Sequence, residues 1–201
     1  MVIGVSQRVD VCRERGEVRD AVDQSLIRFL SEVGFLPVPV PNTLCNTEKM
    51  NSRDALNSWL SELSPRGFVL SGGNDIGQHA SRDETERSIL TYARNNRLPV
   101  LGICRGMQMM AAHAGTALCT VEGHVRVRHK LSGAMEHEVN SYHNFALSEC
   151  PQGFAVLARS EDGTIEAMRH QQLPWEGWMW HPEREAVFSA ADKERLRMIF
   201  Q

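Results

Sequence analysis

Cys104 is the residue whose surroundings favour nucleophilic chemistry most clearly. It follows an apolar segment, residues 98–103, that predicts a buried strand, and a helical pattern begins directly after it. Gly102 and Gly106, two residues to either side, allow the sharp strand-to-helix turn that exposes a nucleophile. The N-terminus of the following helix favours a reactive thiolate. The alternative from spacing alone is a buried cysteine at a tight turn beside two packing glycines.

His181 is the candidate general base, because it ends the apolar segment Trp178-Met179-Trp180. Glu183 follows two residues later and can orient the imidazole ring. Cys104, His181 and Glu183 together predict a variant of the triad of nucleophile, base and orienting group. Taken alone, His181 would more often be a surface histidine at a turn.

Gly72 and Gly73 follow another apolar segment, residues 67–71, and lack side chains that would keep a ligand from the backbone. We predict that the N–H groups of Gly73 and Arg105 form an oxyanion hole. A plain glycine turn is the alternative.

The elements that position these segments alternate between strand and helix. The patterns predict strands 1–6, 35–40, 67–71 and 98–103 and helices 18–33, 52–63, 83–95 and 105–114, with Asp83 capping the third helix. This order indicates an α/β domain with a parallel sheet covered on both faces. Shorter alternating segments then predict strands 116–121, 136–140, 154–158, 164–168 and 177–180 before a last helix, 190–200. Ligands bind beyond the carboxyl ends of such strands, where Ser71, Cys104 and His181 would converge.

Composition narrows the function classes. The 201 residues fit one domain, 1–201, and a formal net charge of -3 argues against a nucleic-acid partner. No run approaches the roughly 18 apolar residues of a membrane helix, and Met1–Ser6 is typical of a strand rather than a signal peptide. Five irregularly spaced cysteines indicate reduced thiols and a cytoplasmic location. We expect no cofactor and no metal, because no H-E-x-x-H or paired C-x-x-C spacing occurs. A homodimer remains open.

Six segments in their order along the chain resemble the class I glutamine amidotransferase-like superfamily, and its γ-glutamyl hydrolase branch in particular. The resemblance covers nearly the whole chain. It implies a single-domain, flavodoxin-like three-layer sandwich with a mostly parallel central sheet and added antiparallel strands. The segments are the opening strand Gly4–Arg8, the R-D-x-x-E/T start at Arg82–Glu86, G-x-C-R-G-x-Q at Gly102–Gln108, V-N-S-x-H at Val139–His143, S-x-D-G-x-x-E-A at Ser160–Ala167 and W-H-P-E at Trp180–Glu183.

The resemblance implies that Cys104 attacks a γ-glutamyl amide and forms a glutamyl thioester. His181 would protonate the leaving amine and then activate water, with Glu183 orienting it. The glutamyl group of this small-molecule substrate would be held by Gln108, Ser141, Tyr142 and His143, with Arg8 as a further candidate. The alternative for Gln108 is a helix-surface amide. The alternative for Ser141, Tyr142 and His143 is a strand-end hydrogen-bond cluster. The Arg105 side chain could form a salt bridge near the turn while its backbone N–H serves in the oxyanion hole.

A basic segment, residues 123–130, raises the question of the leaving group. Period-two alternation would place Arg126, Arg128 and Lys130 on one strand face. They could form a solvated hairpin edge, bind an anionic leaving group such as nucleotide phosphates, or contact nucleic acid. The short chain and this segment resemble the compact branch of γ-glutamyl-CDP-amidate hydrolases of capsule phosphoramidate biosynthesis.

Two features depart from the γ-glutamyl-γ-aminobutyrate hydrolases of the same branch. The chain is shorter, and Asn144-Phe145 stands where relatives often carry Gln. These departures imply trimmed pocket loops and a different substrate pocket.

A stand-alone hydrolase competes with a glutaminase subunit that passes ammonia to a separate synthase. A non-catalytic member of the fold is disfavoured because Cys104, His181 and Glu183 are all present.

Overall fold

The computed structural model describes the backbone of residues 1–45 and 52–201. Five helices lie in this part of the chain: α1 (Gln24–Val33), α2 (Ser52–Leu63), α3 (Ala80–Asn95), α4 (Arg105–His113) and α5 (Ala190–Ile199). The strands are β1 (Val2–Ser6), β2 (Arg8–Cys12), β3 (Glu17–Ala21), β4 (Leu36–Val40), β5 (Phe68–Leu70), β6 (Val100–Ile103), β7 (Leu118–Thr120), β8 (Val125–Lys130), β9 (Ser132–Gly133), β10 (Glu138–Tyr142), β11 (Phe145–Leu147), β12 (Phe154–Arg159), β13 (Ile165–His170) and β14 (Trp175–Trp178).

An eight-stranded sheet forms the centre, in the order β4-β1-β5-β6-β14-β13-β12-β9. The first five strands pair in parallel, and β13, β12 and β9 extend the sheet antiparallel. The predicted parallel sheet with added antiparallel strands is confirmed. Three antiparallel ribbons, β2/β3, β7/β11 and β8/β10, lie outside it.

The two faces of the sheet carry separate apolar cores. Side chains alternate along β5, so Val69 packs with α1 and α5, whereas Phe68 and Leu70 pack with α2, α3 and α4. This arrangement makes three layers, with helices on both faces as the strand–helix alternation predicted. It also places the carboxyl ends of β1, β5, β6 and β14 at one edge of the sheet.

The helix predicted from residue 18 was wrong over its first part. Glu17–Ala21 is strand β3, paired with β2, and α1 begins only at Gln24. Asp23 caps it by accepting a hydrogen bond from the Ser25 N–H at 2.8 Å. Val22 continues the apolar spacing of α1 backwards, so periodicity alone extended the helix into the hairpin.

The prediction that Asp83 caps the third helix was also wrong. Helix α3 begins at Ala80, and its N-cap residue, His79, makes no side-chain capping bond. Asp83 lies in the first turn, where its carboxylate accepts from the Gly77 N–H at 2.8 Å and pairs with Arg105. The earlier start of the helix therefore brings Asp83 to face the residue that follows Cys104.

Two further observations concern membranes and thiols. Within the described ranges, no helix combines the length and apolarity needed to cross a bilayer. All five cysteines are free.

Candidate active site

The backbone at Cys104 makes the sharp turn that its flanking glycines predicted. Cys104 has φ 50° and ψ −106°, a conformation that side chains rarely adopt. A Cβ on Gly102 would lie 2.6 Å from the Gly106 carbonyl carbon, and one on Gly106 would overlap the Leu70 carbonyl. Both glycines are therefore needed for β5, β6 and α4 to approach one another. Cys104 itself is 7% exposed, at the N-terminus of α4.

His181 lies just beyond β14 and is buried, so it is not a surface histidine. It is 2% exposed, and its Nδ1 lies 2.7 Å from Oε1 of Glu183. Burial alone would lower the pKa of His181, but the charge of Cys104 and hydrogen bonds with Cys104 and Glu183 raise it to about 9. The three residues predicted as a triad thus meet at one point, with the imidazole between the sulfur and the carboxylate.

Asn140 holds the backbone of His181, a contact that sequence reasoning missed. Its Nδ2 donates to the His181 carbonyl at 2.8 Å, and its Oδ1 accepts from the His181 N–H at 2.9 Å. Tyr142, two residues further along β10, packs edge-to-face on the His181 ring with the ring centroids 5.8 Å apart. The V-N-S-x-H segment therefore reaches the histidine from β10.

Arg82 fixes the loop that carries the predicted oxyanion hole. Its guanidinium donates to three consecutive carbonyls, those of Ser71 at 2.7 Å, Gly72 at 3.0 Å and Gly73 at 2.6 Å. In a trans peptide the C=O and N–H groups point in opposite directions, so the Gly73 N–H points away from Arg82. A Cβ on Gly72 would lie only 2.6 Å from Cε1 of His181, which explains the glycine at that position.

Arg105 contributes its side chain to a buried ion-pair network. It pairs with Asp83 and Glu86, and its Nε donates to the Asn74 carbonyl at 3.1 Å. Burial lowers the pKa of Arg105 to about 9 and that of Arg82 to about 10, so both remain cationic at neutral pH. The first amides of a helix have no acceptor within it, so the Arg105 N–H at the start of α4 is available to a ligand. The R-D-x-x-E/T segment thus stabilises the strand-to-helix turn at Cys104 through these ion pairs.

The residues predicted to hold the glutamyl group fall into two sets. Gln108 and Ser141 are buried, and they donate to the carbonyls of Phe145 at 3.0 Å and His124 at 2.7 Å. Gln108 is therefore not a helix-surface amide, and the Ser141 contact matches the alternative of a strand-end hydrogen-bond cluster. Tyr142 and Arg8 are more open, with Tyr142 38% exposed and the Arg8 side chain 45% exposed.

A narrow cleft joins several of these residues. Its lining includes Arg8, Gly72, Gly73, His181 and Glu183. A larger cavity, about 500 Å³, lies against α2 and α3 and contains none of them. The chemistry therefore points to the narrow cleft, despite its smaller size.

The basic segment forms β8, and its three cations differ in their surroundings. Arg128 pairs with Glu138 at 2.5 Å and with Glu185 at 3.0 Å, so its charge is already balanced. Arg126 and Lys130 are exposed, and neither pairs with a carboxylate in the part of the chain that the structure describes. Arg126 sits in a β-bulge with φ 57°, next to Val125, which is the register partner of Tyr142.

A second polar cluster lies on the other side of β10. Ligand atoms of His124, His129, His143 and Glu166 all lie within 4.8 Å of one another. No metal-binding motif predicted this cluster, and it includes His143, which was predicted to hold the glutamyl group. These four side chains are the ones in the described chain that could hold a metal ion.

The fold and the site define an α/β protein with a cysteine at a nucleophile elbow beside a buried histidine–glutamate pair. The family model "Glutamine amidotransferase class-I" matches residues 17–200, and the chain belongs to this family. The predicted class I glutamine amidotransferase-like fold is confirmed. Members of the family are cysteine-dependent amidohydrolases or amidotransferases.

Two curated relatives differ in what they are named for. The chain is 34% identical over 127 residues to a γ-glutamyl-CDP-amidate hydrolase of Campylobacter jejuni; the match covers 60% of this chain and 63% of that protein. The chain thus spans less than two thirds of that relative. It is 30% identical over 166 residues to one of the subunits of the glutamine-hydrolysing GMP synthase of Methanocaldococcus jannaschii, covering 78% of this chain and 79% of that one.

Solved structures support the fold. A Thermoplasma acidophilum protein, provisionally assigned as one of the subunits of a GMP synthase, superposes with a TM-score of 0.72 at 23% identity, covering 100% of this chain and 92% of that chain. A glutamine amidotransferase of Thermotoga maritima superposes with a TM-score of 0.64 at 14% identity, covering 99% of this chain and 81% of that one. At these identities the likeness concerns the fold alone.

Proposed function

We propose that the protein is a cysteine-dependent γ-glutamyl amide hydrolase whose catalytic residues are Cys104, His181 and Glu183. The observation that carries this proposal is the burial of His181 between Cys104 and Glu183, with a pKa raised to about 9. A protonated imidazole beside the sulfur at neutral pH stabilises a thiolate, the nucleophilic form of cysteine. The family membership supports the same chemistry.

In the first half-reaction, the Cys104 thiolate attacks the γ-carbonyl carbon of the substrate. The carbonyl oxygen becomes an oxyanion that accepts hydrogen bonds from the Gly73 and Arg105 N–H groups. His181 donates its proton to the leaving nitrogen as the carbon–nitrogen bond breaks. The amine departs, and Cys104 carries a glutamyl thioester.

In the second half-reaction, neutral His181 takes a proton from water as the water oxygen attacks the thioester carbonyl. The carbon–sulfur bond breaks, glutamate leaves, and the thiolate–imidazolium pair is restored. Glu183 keeps the ring oriented through Nδ1, and Asn140 keeps its backbone in place. These contacts support one histidine serving as acid and then as base.

The substrate in this proposal is a small γ-glutamyl conjugate with an anionic leaving group. Arg126 lies in the bulge of β8 beside the strand that carries Tyr142, and Tyr142 packs on His181. Arg126 thus places a positive charge beside the register partner of Tyr142, and Lys130 adds a second exposed cation at the far end of β8, opposite Glu138. The name of the Campylobacter relative supports γ-glutamyl-CDP-amidate over γ-glutamyl-γ-aminobutyrate. The resemblance to the hydrolases of capsule phosphoramidate biosynthesis extends the proposal to a role in capsule biosynthesis.

The second candidate is a glutaminase subunit that delivers ammonia to a separate synthase. It is favoured by the match to the Methanocaldococcus protein, which covers more of this chain than the Campylobacter match does. The chemistry at Cys104 would be the same, with glutamine as the substrate and a protein partner needed for full activity.

A glutamate-release screen tests the choice. Purified protein is given γ-glutamyl-CDP-amidate, γ-glutamyl-γ-aminobutyrate, a γ-glutamyl amide of an uncharged amine, and glutamine, with Cys104→Ala as the blank. We expect the highest kcat/KM for the nucleotide phosphoramidate. Turnover of glutamine alone, rising when a synthase is added, would favour the second candidate, and no turnover of any γ-glutamyl amide would refute both.

A further inference from the structure

Four side chains on or beside three neighbouring strands converge on a single buried point away from Cys104. His129 lies on β8 and Glu166 on β13, while His124 precedes β8 and His143 follows β10. His124, His143 and Glu166 are 2%, 3% and 0% exposed, respectively. We propose that these four residues bind a structural zinc ion, independently of the reaction at Cys104.

The strongest support for a bound ion is a set of buried polar atoms that make no hydrogen bond. Nδ1 of His124, Nε2 of His129, Nε2 of His143 and both carboxylate oxygens of Glu166 are buried and make no hydrogen bond within the described chain. Buried polar atoms almost always have partners, because leaving them unpaired is costly. A cation bound among these atoms would satisfy them together.

The other nitrogen of two of the rings has a partner of the kind that metal-binding histidines use. Nε2 of His124 lies 2.8 Å from Oδ2 of Asp162, and Nδ1 of His143 lies 3.1 Å from the Phe145 carbonyl oxygen. Each ring donates a proton to that oxygen, so its inward nitrogen carries a lone pair. Carboxylates and backbone carbonyls orient metal-ligating imidazoles in this way.

Two of the spacings among the ligand atoms match the edges of a four-coordinate site, and all of the spacings lie within 4.8 Å. Oε1 of Glu166 lies 3.3 Å from Nδ1 of His124 and 3.5 Å from Nε2 of His143. Bonds of roughly 2.0–2.1 Å in a tetrahedron give edges of about 3.3–3.4 Å between ligand atoms. Three imidazole nitrogens and one carboxylate oxygen are a ligand set that suits Zn²⁺.

Charge and burial indicate a structural rather than a catalytic ion. The carboxylates of Glu166 and Asp162 together balance the two positive charges of Zn²⁺. Four protein ligands leave no position for water, which is the mark of a closed structural site. The ion would fasten the β8/β10 ribbon to β13 of the central sheet. Since β10 also carries Asn140, this fastening supports the backbone of His181.

Metal analysis of the untagged protein tests the proposal directly. Protein dialysed against Zn²⁺ and then separated from free metal is analysed by plasma mass spectrometry. We expect one zinc per chain in the wild type and in the control His79→Ala, and a loss of zinc in His129→Ala and in Glu166→Gln. Wild-type protein without zinc, or both cluster variants with wild-type zinc, would overturn the proposal.

A second measurement does not depend on the variants folding. Wild-type protein is stripped with a chelator and titrated with Co²⁺, whose visible absorption is intense only in tetrahedral sites, while the thermal midpoint is followed in parallel with Zn²⁺. We expect saturation at one equivalent of Co²⁺ and a higher midpoint with Zn²⁺. No tetrahedral spectrum and no shift of the midpoint would contradict a zinc site even where the variants fail to fold.

Discussion

The side chain of Asn140 pairs with the backbone of His181 through two hydrogen bonds, one donated at 2.8 Å and one accepted at 2.9 Å. Asn140 lies on β10 and His181 follows β14, so the pair joins an outer ribbon to the central sheet. Asn140 and His181 are 41 residues apart in the chain, and both are buried. The position of the proposed base thus depends on a residue that touches no reacting atom.

Replacing Asn140 by alanine tests this positioning role. The variant loses both hydrogen bonds to His181, and we expect kcat to fall about tenfold or more, because small misplacements of a catalytic group are costly. KM should change little, since Asn140 does not contact the cleft. The exposed Asn95 at the end of α3 gives the matched control, Asn95→Ala. Equal kcat in the two variants would remove the positioning role.

The pH dependence of activity should reflect the raised pKa of His181. Because its folded-state pKa is about 9, above the ordinary 6.5, the folded protein holds the proton more tightly. That contribution to stability is complete below about pH 6.5 and is lost as pH rises through about 9. We therefore expect kcat/KM to fall on the alkaline side with an apparent pKa near 9.

The variant Glu183→Gln tests whether the Glu183 carboxylate contributes to the raised pKa of His181. Glu183 helps to raise the pKa of His181, so its neutral replacement should move the alkaline limb to lower pH as well as reduce the rate. Glu149→Gln, at an exposed position, should leave the profile unchanged. An unmoved limb in Glu183→Gln would show that the carboxylate does not act on the imidazole.

Gly72→Ala tests the close contact between the glycine loop and His181. The added Cβ would lie 2.6 Å from Cε1 of the ring, so the ring must shift, and we expect kcat to drop about tenfold or more. Gly16→Ala is the control, because Gly16 has φ 63° but open space around it. The control should lose roughly 1 kcal/mol of stability and no activity. Normal activity in Gly72→Ala together with lost activity in Gly16→Ala would contradict the close contact between Gly72 and His181.

The double variant Arg126→Ala, Lys130→Ala tests the anionic leaving group. In the double variant, we expect KM for a phosphorylated substrate to rise about threefold to tenfold, because two exposed cations that attract the phosphates are lost. Salt should make this difference smaller. KM for a γ-glutamyl amide of an uncharged amine should stay constant. Arg94→Ala, an exposed cation on α3, serves as the control. A uniform effect on both substrates would place β8 outside the leaving-group site.

The sequence predicted the central features of this fold because they depend on local patterns. Gly102, Cys104 and Gly106 indicate the sharp turn, and apolar runs indicate the parallel strands. The β2/β3 hairpin was missed because Val22 continues the helical spacing of α1 into it. The role of Asp83 was missed because its partner, Arg105, lies 22 residues away in the chain.

The histidine cluster shows the same limit more clearly. His124 and His129 have an H-x4-H spacing that zinc-finger histidines also use, but no paired C-x-x-C accompanies it. Their proximity to His143 and Glu166 arises only when β8 and β10 pair and meet β13. The expectation of no metal rested on local spacing alone. Contacts that depend on strand pairing need the fold before they can be recognised.

Cys104 carries the central claim, and trapping its acyl intermediate tests that claim most directly. A rapidly quenched reaction with a γ-glutamyl substrate is digested and analysed by mass spectrometry, with Cys104→Ala in parallel. We predict one glutamyl group on the peptide that contains Cys104, none on the other four cysteines, and no glutamate release by the alanine variant. Glutamate release that continues in Cys104→Ala would contradict the account.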